Sequence, residues 1–345
     1  MKRKHLYKVA ITITLALLLA MIISMIGASS SPVAAQTQTV KWRFAIYDAA
    51  LTTIAAKSYQ DMAKGISDRT NGKFQITVYP SGQLGYSAAD HQKVLSQALL
   101  EMGETMAGTV QGGPGFLVFS YPGLFKNVDD AQKGWKAVDA DLQQAAGAFN
   151  AKLLGHTFRG IAGIHSTKRG FPTVDSFKGA KMRAWNSMSS DILAALGAVP
   201  QVIPYAERFS ALSTGIVEGN TAAFSTQVDS KDYEVCKFTN VWPWDSTLMV
   251  TFVNVNSFNA LPKEYQTILQ EELTKSVQRS AKEYLDVDSN ALNTLAAKGV
   301  TIVRPEAAEI TKYLGVAQKL HDKWQEQGGD QAKAIYKKVR AAIGY

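Results

Sequence analysis

Arg183 stands out for the company it keeps. Within FKGAKMRAWNSMSSDILAALGAVPQVIPYAERFSALSTGIVEG, residues 177–219, it sits at the end of a short strand-like run, with Trp185 and Asn186 just after it. A guanidinium offers a planar fork of donors that matches both oxygens of a carboxylate, which the point charge of a lysine cannot do. With an aromatic ring and an amide beside it, Arg183 is a candidate grip for an organic acid. The plainer reading is a surface arginine in an α/β unit, and the rest of the chain has to separate the two.

Other chemistry finds little support. The histidines His5, His91, His156, His165 and His321 are scattered, and no HExxH or CxxC spacing or GxSxG elbow occurs. No GxGxxG or GxxxxGK[ST] loop follows a strand, so nucleotide phosphates have no cradle. No metal, cofactor or catalytic residue is expected from these patterns. His165 or Glu207 could serve an exported enzyme acting on a small acid, which is the rival reading. A histidine on a strand is more often a hydrogen-bonded core residue, and an acid in a helix's first turn suits the helix dipole.

The elements that must position Arg183 read as α/β. VKWRFAIY, 40–47, alternates as a strand, and 54–69 carries apolar residues at helical spacing, closed by Asn71-Gly72. A strand over 73–79, a helix over 92–100 and a strand over 104–110 follow, the pattern of a parallel sheet with helices on both faces. Gly112-Gly113-Pro114-Gly115 reads as a crossover loop with no helix after it. Next come a helix over 129–149 and two separate strands, 152–157 and 161–166. Around Arg183 the pattern gives a helix over 188–196, a strand over 201–203 and a helix opened by Pro204 and Glu207. Mixed segments follow, including 238–242 and 246–255. A helix over 263–297 is long enough to bridge two lobes. A strand over 299–303, a helix started by Pro305 and a basic C-terminal helix complete the chain.

The first 35 residues read as a signal peptide. Lys2, Arg3, Lys4 and Lys8 precede an apolar run over 9–26, and Val33 and Ala35 fit a peptidase site, so cleavage is expected between Ala35 and Gln36. The length of the apolar run leaves an uncleaved anchor as the alternative. About 310 residues remain, enough for two medium lobes. The formal charge of +8 falls to +4, 33 basic against 29 acidic residues, once the leader is removed. That charge is spread out, with no basic run interleaved with aromatics, so no nucleic-acid partner is expected. Cys236 is the sole cysteine, which excludes an internal disulfide. An exported chain without disulfides fits a bacterial periplasmic protein.

Four motifs in order carry a family resemblance across nearly the whole mature chain. They are WRFAIYDAALTTIAAKSYQDMAKGISDRTNGKFQITVYPSGQLG, with 79–85 especially distinctive; FKGAKMR around Arg183; GAVPQVIPYAERFSALSTGIVEG; and FVNVNSFNALPKEYQTIL. The chain resembles the substrate-binding proteins of tripartite ATP-independent periplasmic (TRAP) transporters, of the dicarboxylate-binding type. The resemblance implies two α/β lobes joined by hinge strands and a long lobe-spanning helix, closing on a ligand, with lobe I completed by later segments of the chain. The expected division is lobe I over 36–157 with later segments, lobe II over 158–255, and a bridging and C-terminal helical region over 256–345.

It further implies that Arg183 pairs with the ligand carboxylate. Tyr47, Thr109, Tyr205, Phe224 and Ser225 are carried over as pocket positions, beside Trp185 and Asn186. In sialic-acid-binding members a second arginine stands 20 residues before the first, where this chain has Gly163, and an asparagine stands where it has Ala222. Sialic acid is therefore not expected, and Arg159 and Arg169 are the candidate substitutes for the missing arginine, Arg169 being the better fit for the surface. The aromatics suit a ligand with an apolar body, or simply fill a core. The implied partners are a small-molecule carboxylate and the small and large integral membrane subunits of a TRAP transporter, with the receptor a monomer. Delivery to a sensor kinase is the alternative.

Overall fold

In the first strand, β1 (Val40–Ala45), Trp42 and Phe44 point inward while Lys41 and Arg43 face out, as a half-buried strand requires. The computed structural model describes residues 39–345; the expected leader and its cleavage site lie outside the described residues. Helix α1 (Ile54–Arg69) opens at Thr53, whose side chain accepts from the Ala56 amide, and closes through the left-handed pair Asn71 and Gly72. β2 (Phe74–Tyr79) and β3 (Met102–Met106) flank β1 and run parallel to it. After α2 (Val128–Gly147), the chain enters the long strand β4 (Ala151–Ser166).

The Arg183 region supplies β5 (Lys181–Ala184), α3 (Ser187–Ala195), β6 (Val199–Val202) and α4 (Arg208–Ser213). Then come β7 (Gly219–Ala223), α5 (Phe224–Asp229), β8 (Phe238–Asn240) and β9 (Ser246–Asn254). The chain ends in α6 (Lys263–Ala297), β10 (Thr301–Val303) and α7 (Ala307–Ala342), the last broken at Gly329, where φ is 67°. The strands are ordered β2-β1-β3-β9-β4-β7-β5-β6, with β8 on β4 and β10 on β8.

β4 belongs to both halves of this sheet. Its first part pairs antiparallel with β9, and its second part, from Ala162, pairs with β7. The two strands expected over 152–157 and 161–166 are therefore one. Register shifts lie between Leu153 and Gly155 and between Phe158 and Ile161, and Gly160 adopts a φ of 127° that an L side chain rarely takes. The bulge turns the strand, but each end finds a partner, so it continues.

Three other expectations shift. The helix expected over 92–100 is His91–Ser96, stopped where Ala98 takes a φ of 55°. The strand expected over 104–110 is Met102–Met106, followed by a 3₁₀ turn. The glycine-rich loop is followed by a single helical turn, Pro114–Leu117, with proline at its favoured first position.

The three largest apolar clusters make most of the core. One packs Trp42, Phe44 and Met62 against Ile268 and Leu273 of α6. A second joins α2 to Trp324 and Ile335 of α7, and a third gathers Phe177, Met182 and Trp242 around Tyr313 of α7. α6 also crosses between the sheet halves. Ser276 meets Ser58 of α1 at 2.9 Å, and Asp288 accepts from the Ser225 amide of α5 at 3.0 Å.

Candidate functional site

Three arginines are buried around one cavity between the sheet halves. Arg159, in the bulge of β4, directs both terminal nitrogens at Asp48, each at 2.9 Å, and one of them also reaches Glu104 at 3.2 Å. Glu104 is further held by the Tyr59 hydroxyl at 2.8 Å. Burial alone would weaken the Arg159 charge, but the two acids hold its pKa well above the ordinary value. Arg208, at the start of α4, lies 2.7 Å from Asp232 and stacks over the Tyr205 ring, 4.3 Å from its centroid. Its pKa is likewise raised, because the Asp232 charge outweighs burial.

Arg183 differs from both. It is 2% exposed, its Nε donates to the Ile203 carbonyl at 2.9 Å, and among the described residues no carboxylate lies within 4.0 Å of its guanidinium. Burial pushes its pKa below the ordinary value, with Tyr47 opposing and the like charge of Arg208 adding to the effect. A buried cation without an anion is an unsatisfied charge, and here it faces a cavity.

Apolar walls complete the enclosure. Tyr47, Trp185, Tyr205, Met106 and Met249 line it, and the Tyr47 and Tyr205 rings meet across the halves at 4.6 Å. The empty space among these side chains, part of it open to solvent, is about 390 Å³. A second wall is polar: Thr221, Thr226, Asp245 and Thr247. Burial pushes the Asp245 carboxyl up to about 8.

Of the residues singled out from sequence, Arg183, Tyr47, Trp185, Tyr205 and Arg159 line this cavity. Arg159 does so with its fork already filled by Asp48 and Glu104, so it braces the wall and is not a free second anchor. Asn186 is not a lining residue. Its side chain caps α3 by accepting from the Ser189 amide at 2.8 Å and donates to the Gly108 carbonyl at 2.7 Å. Thr109 borders an adjoining cavity behind Tyr47 and Trp185, its hydroxyl donating to the Met106 carbonyl at 2.7 Å.

Phe224 turns away from the cavity to pack edge-on against His165, with ring centroids 5.8 Å apart. Ser225 donates its hydroxyl to the Arg159 carbonyl, holding the bulge rather than a ligand. Arg208, Asp245 and the three threonines were not singled out, although Arg208 falls within the AERFSAL motif. Alternation into β9 is the signal for Asp245 and Thr247, which share one face with Met249; Thr221 and Thr226 lie on β7 and α5.

His165, the candidate base, is fully buried, and its two ring nitrogens meet the Thr239 hydroxyl at 3.0 Å and the Ala222 carbonyl at 3.1 Å. Burial pushes it down to about 4, so it is neutral and saturated. Gly163 faces the Phe224 ring, and an added Cβ would sit 2.4 Å from that ring and 2.9 Å from the Asn240 carbonyl. No second arginine fits there. Among the described residues no three metal-ligating side chains gather.

The fold and this interlobe cavity are those of two-lobed solute receptors. The likeness extends to solved structures. A TRAP periplasmic solute-binding protein from Ralstonia eutropha with bound (S)-2-acetolactate matches with a TM-score of 0.82 at 19% identity, covering 88% of this chain and 98% of that one. One from Haemophilus influenzae with bound L-gulonate matches with a TM-score of 0.79 at 24% identity, covering 88% and 99%. The profile of the bacterial extracellular solute-binding proteins, family 7, matches residues 44–327, and the chain belongs to that family. It is 26% identical over 329 residues to the C4-dicarboxylate-binding periplasmic protein DctP of Rhodobacter capsulatus, 91% of this chain and 94% of that protein. It is 27% identical over 342 residues to a monocarboxylate 2-oxoacid-binding periplasmic protein of Nostoc, 93% and 88% respectively. The resemblance read from the four motifs is borne out.

Proposed function

We propose that this protein is the periplasmic receptor of a TRAP transporter and captures an organic acid between its lobes, Arg183 taking the carboxylate. The observation that carries the reading is the buried Arg183 guanidinium, the one of the three around the cavity without an acid beside it. In this reading the lobes are built on 36–157, with later segments, and on 158–255, spanned by the helical region 256–345, and a leader is cleaved after Ala35. The receptor, a monomer that catalyses no reaction, hands its ligand to the small and large membrane subunits. Relatives described as binding C4-dicarboxylates and 2-oxoacids, and a solved neighbour holding L-gulonate, support an acid ligand.

Closure expels water, so the new ion pair forms in a low local dielectric. That gain competes with desolvation of both ions. Here the arginine is already desolvated in the protein, and the bidentate geometry and the ligand's own desolvation decide the balance. A thermal-shift screen of organic acids tests the reading. An acid at 100-fold its dissociation constant should add about 2.7 kcal/mol of stability. Midpoints that move only with uncharged sugars or with cations would overturn it.

A further inference from the structure

The polar wall of the cavity is as unsatisfied as Arg183. Both carboxyl oxygens of Asp245 and the hydroxyls of Thr221, Thr226 and Thr247 are buried with no hydrogen-bond partner. All four residues are at least nine-tenths buried, and all line the cavity that Arg183 lines. A native interior rarely leaves such atoms orphaned, and so many in one cavity point to a missing occupant with polar groups of its own. The Asp245 carboxyl, which burial keeps protonated, offers a donor as well as acceptors, and each threonine hydroxyl can donate or accept.

The charges restrict that occupant. Around the cavity Arg159 is paired with Asp48 and Glu104 and Arg208 with Asp232, which leaves Arg183 as the cation without a partner. Arg183 can receive one anionic group. A second one would meet the Asp245 carboxyl, which burial keeps neutral and which brings no compensating charge, and among the described lining residues no further unpaired cation would balance it.

We propose that the acid bound here is a monocarboxylate bearing a hydroxyl, which donates to Asp245 within the threonine-lined wall while Arg183 holds the carboxylate. The assignment rests on the carboxylate reading above and deepens it. It makes Asp245 a specificity-determining residue. A donor at this wall satisfies atoms that are otherwise orphaned, whereas an alkyl chain leaves them so, and a site built for a hydrogen bond rejects the analogue lacking it.

Calorimetry on the full mature chain tests this with straight-chain acids of three to six carbons. Each length is offered as the unsubstituted monocarboxylate, its hydroxy derivatives and the α,ω-dicarboxylate. The best hydroxy acid should bind about tenfold or more tighter than the unsubstituted acid and the dicarboxylate of its length. In Asp245→Ala, and more weakly in Thr247→Val, the ratio of hydroxy-acid to unsubstituted-acid affinity should shrink to about threefold or less. Dicarboxylates binding as tightly as hydroxy acids, or a hydroxyl preference that survives Asp245→Ala, would overturn the assignment. Arg183→Ala separates the two readings. If it abolishes binding while the hydroxyl preference is absent, the carboxylate reading stands and the Asp245 assignment falls. If no acid in the panel binds, the Asp245 assignment falls, and the carboxylate reading is decided by the wider screen of organic acids.

Discussion

Arg183 and Arg159 are both buried guanidiniums, yet removing them should act in opposite directions. Arg159 sits between Asp48 and Glu104, so its loss strands buried carboxylates. Arg159→Met should therefore cost about 3–5 kcal/mol. Arg183 has no acid beside it, so its replacement removes an uncompensated charge. Arg183→Met should leave the unliganded protein at least as stable as the parent, and up to about 2 kcal/mol more so. Urea titrations of both variants check the pair of signs.

Asp245 makes a second prediction at this scale. Its folded pKa, about 8, lies above the ordinary carboxylate value, so the native state holds a proton that the unfolded chain releases. Its contribution is most favourable at low pH and fades as pH rises from the ordinary carboxylate range to about 8. The stability gained by Asp245→Asn over the parent should grow across that window. The comparison is differential because His91, His156 and His165, each pushed down to about 4 by burial, act in the opposite sense below their ordinary value.

At the scale of elements, β4 does most to shape the cavity. Its bulge delivers Arg159, and Gly163 lets the Phe224 ring lie against the strand. Gly163→Ala should cost about 1–3 kcal/mol, seen as a lowered thermal midpoint, because the Asn240 carbonyl is backbone and cannot step aside. Helical periodicity made α6 legible to the residue, and the motif around Arg183 pointed to a guanidinium that lines the cavity. Less could be read where distant partners decide. Arg208 follows an acid at a helix start, which reads as a solvated face until Asp232 is seen against it. Asn186 and Ser225 are polar and adjacent to cavity residues in sequence. Their hydrogen bonds go to α3 and to the β4 bulge, because a strand-to-helix junction must first satisfy its own backbone. Polar residues on β9 suggest an exposed strand, and only its place between β3 and β4 turns them inward.

The whole molecule places its halves in contact through Tyr47 and Tyr205, through Asn186 and Gly108, and through Asp229 of α5, which accepts from the Ile54 amide of α1 at 3.3 Å. Trp185 lies on the cavity wall, 9% exposed. A bound acid should shift its emission, and the shift should vanish in Arg183→Ala.

The central claim is that this unpaired guanidinium is the carboxylate's seat. Titration calorimetry of the tightest-binding acid against the parent, Arg183→Ala and Arg183→Lys tests it most directly. Arg183→Ala should lose two to three decades or more in affinity, about 3–5 kcal/mol, with the thermal midpoint of the unliganded protein maintained. Arg183→Lys should bind weakly too, since a point charge loses the bidentate fit. Parental affinity in Arg183→Ala would contradict the claim.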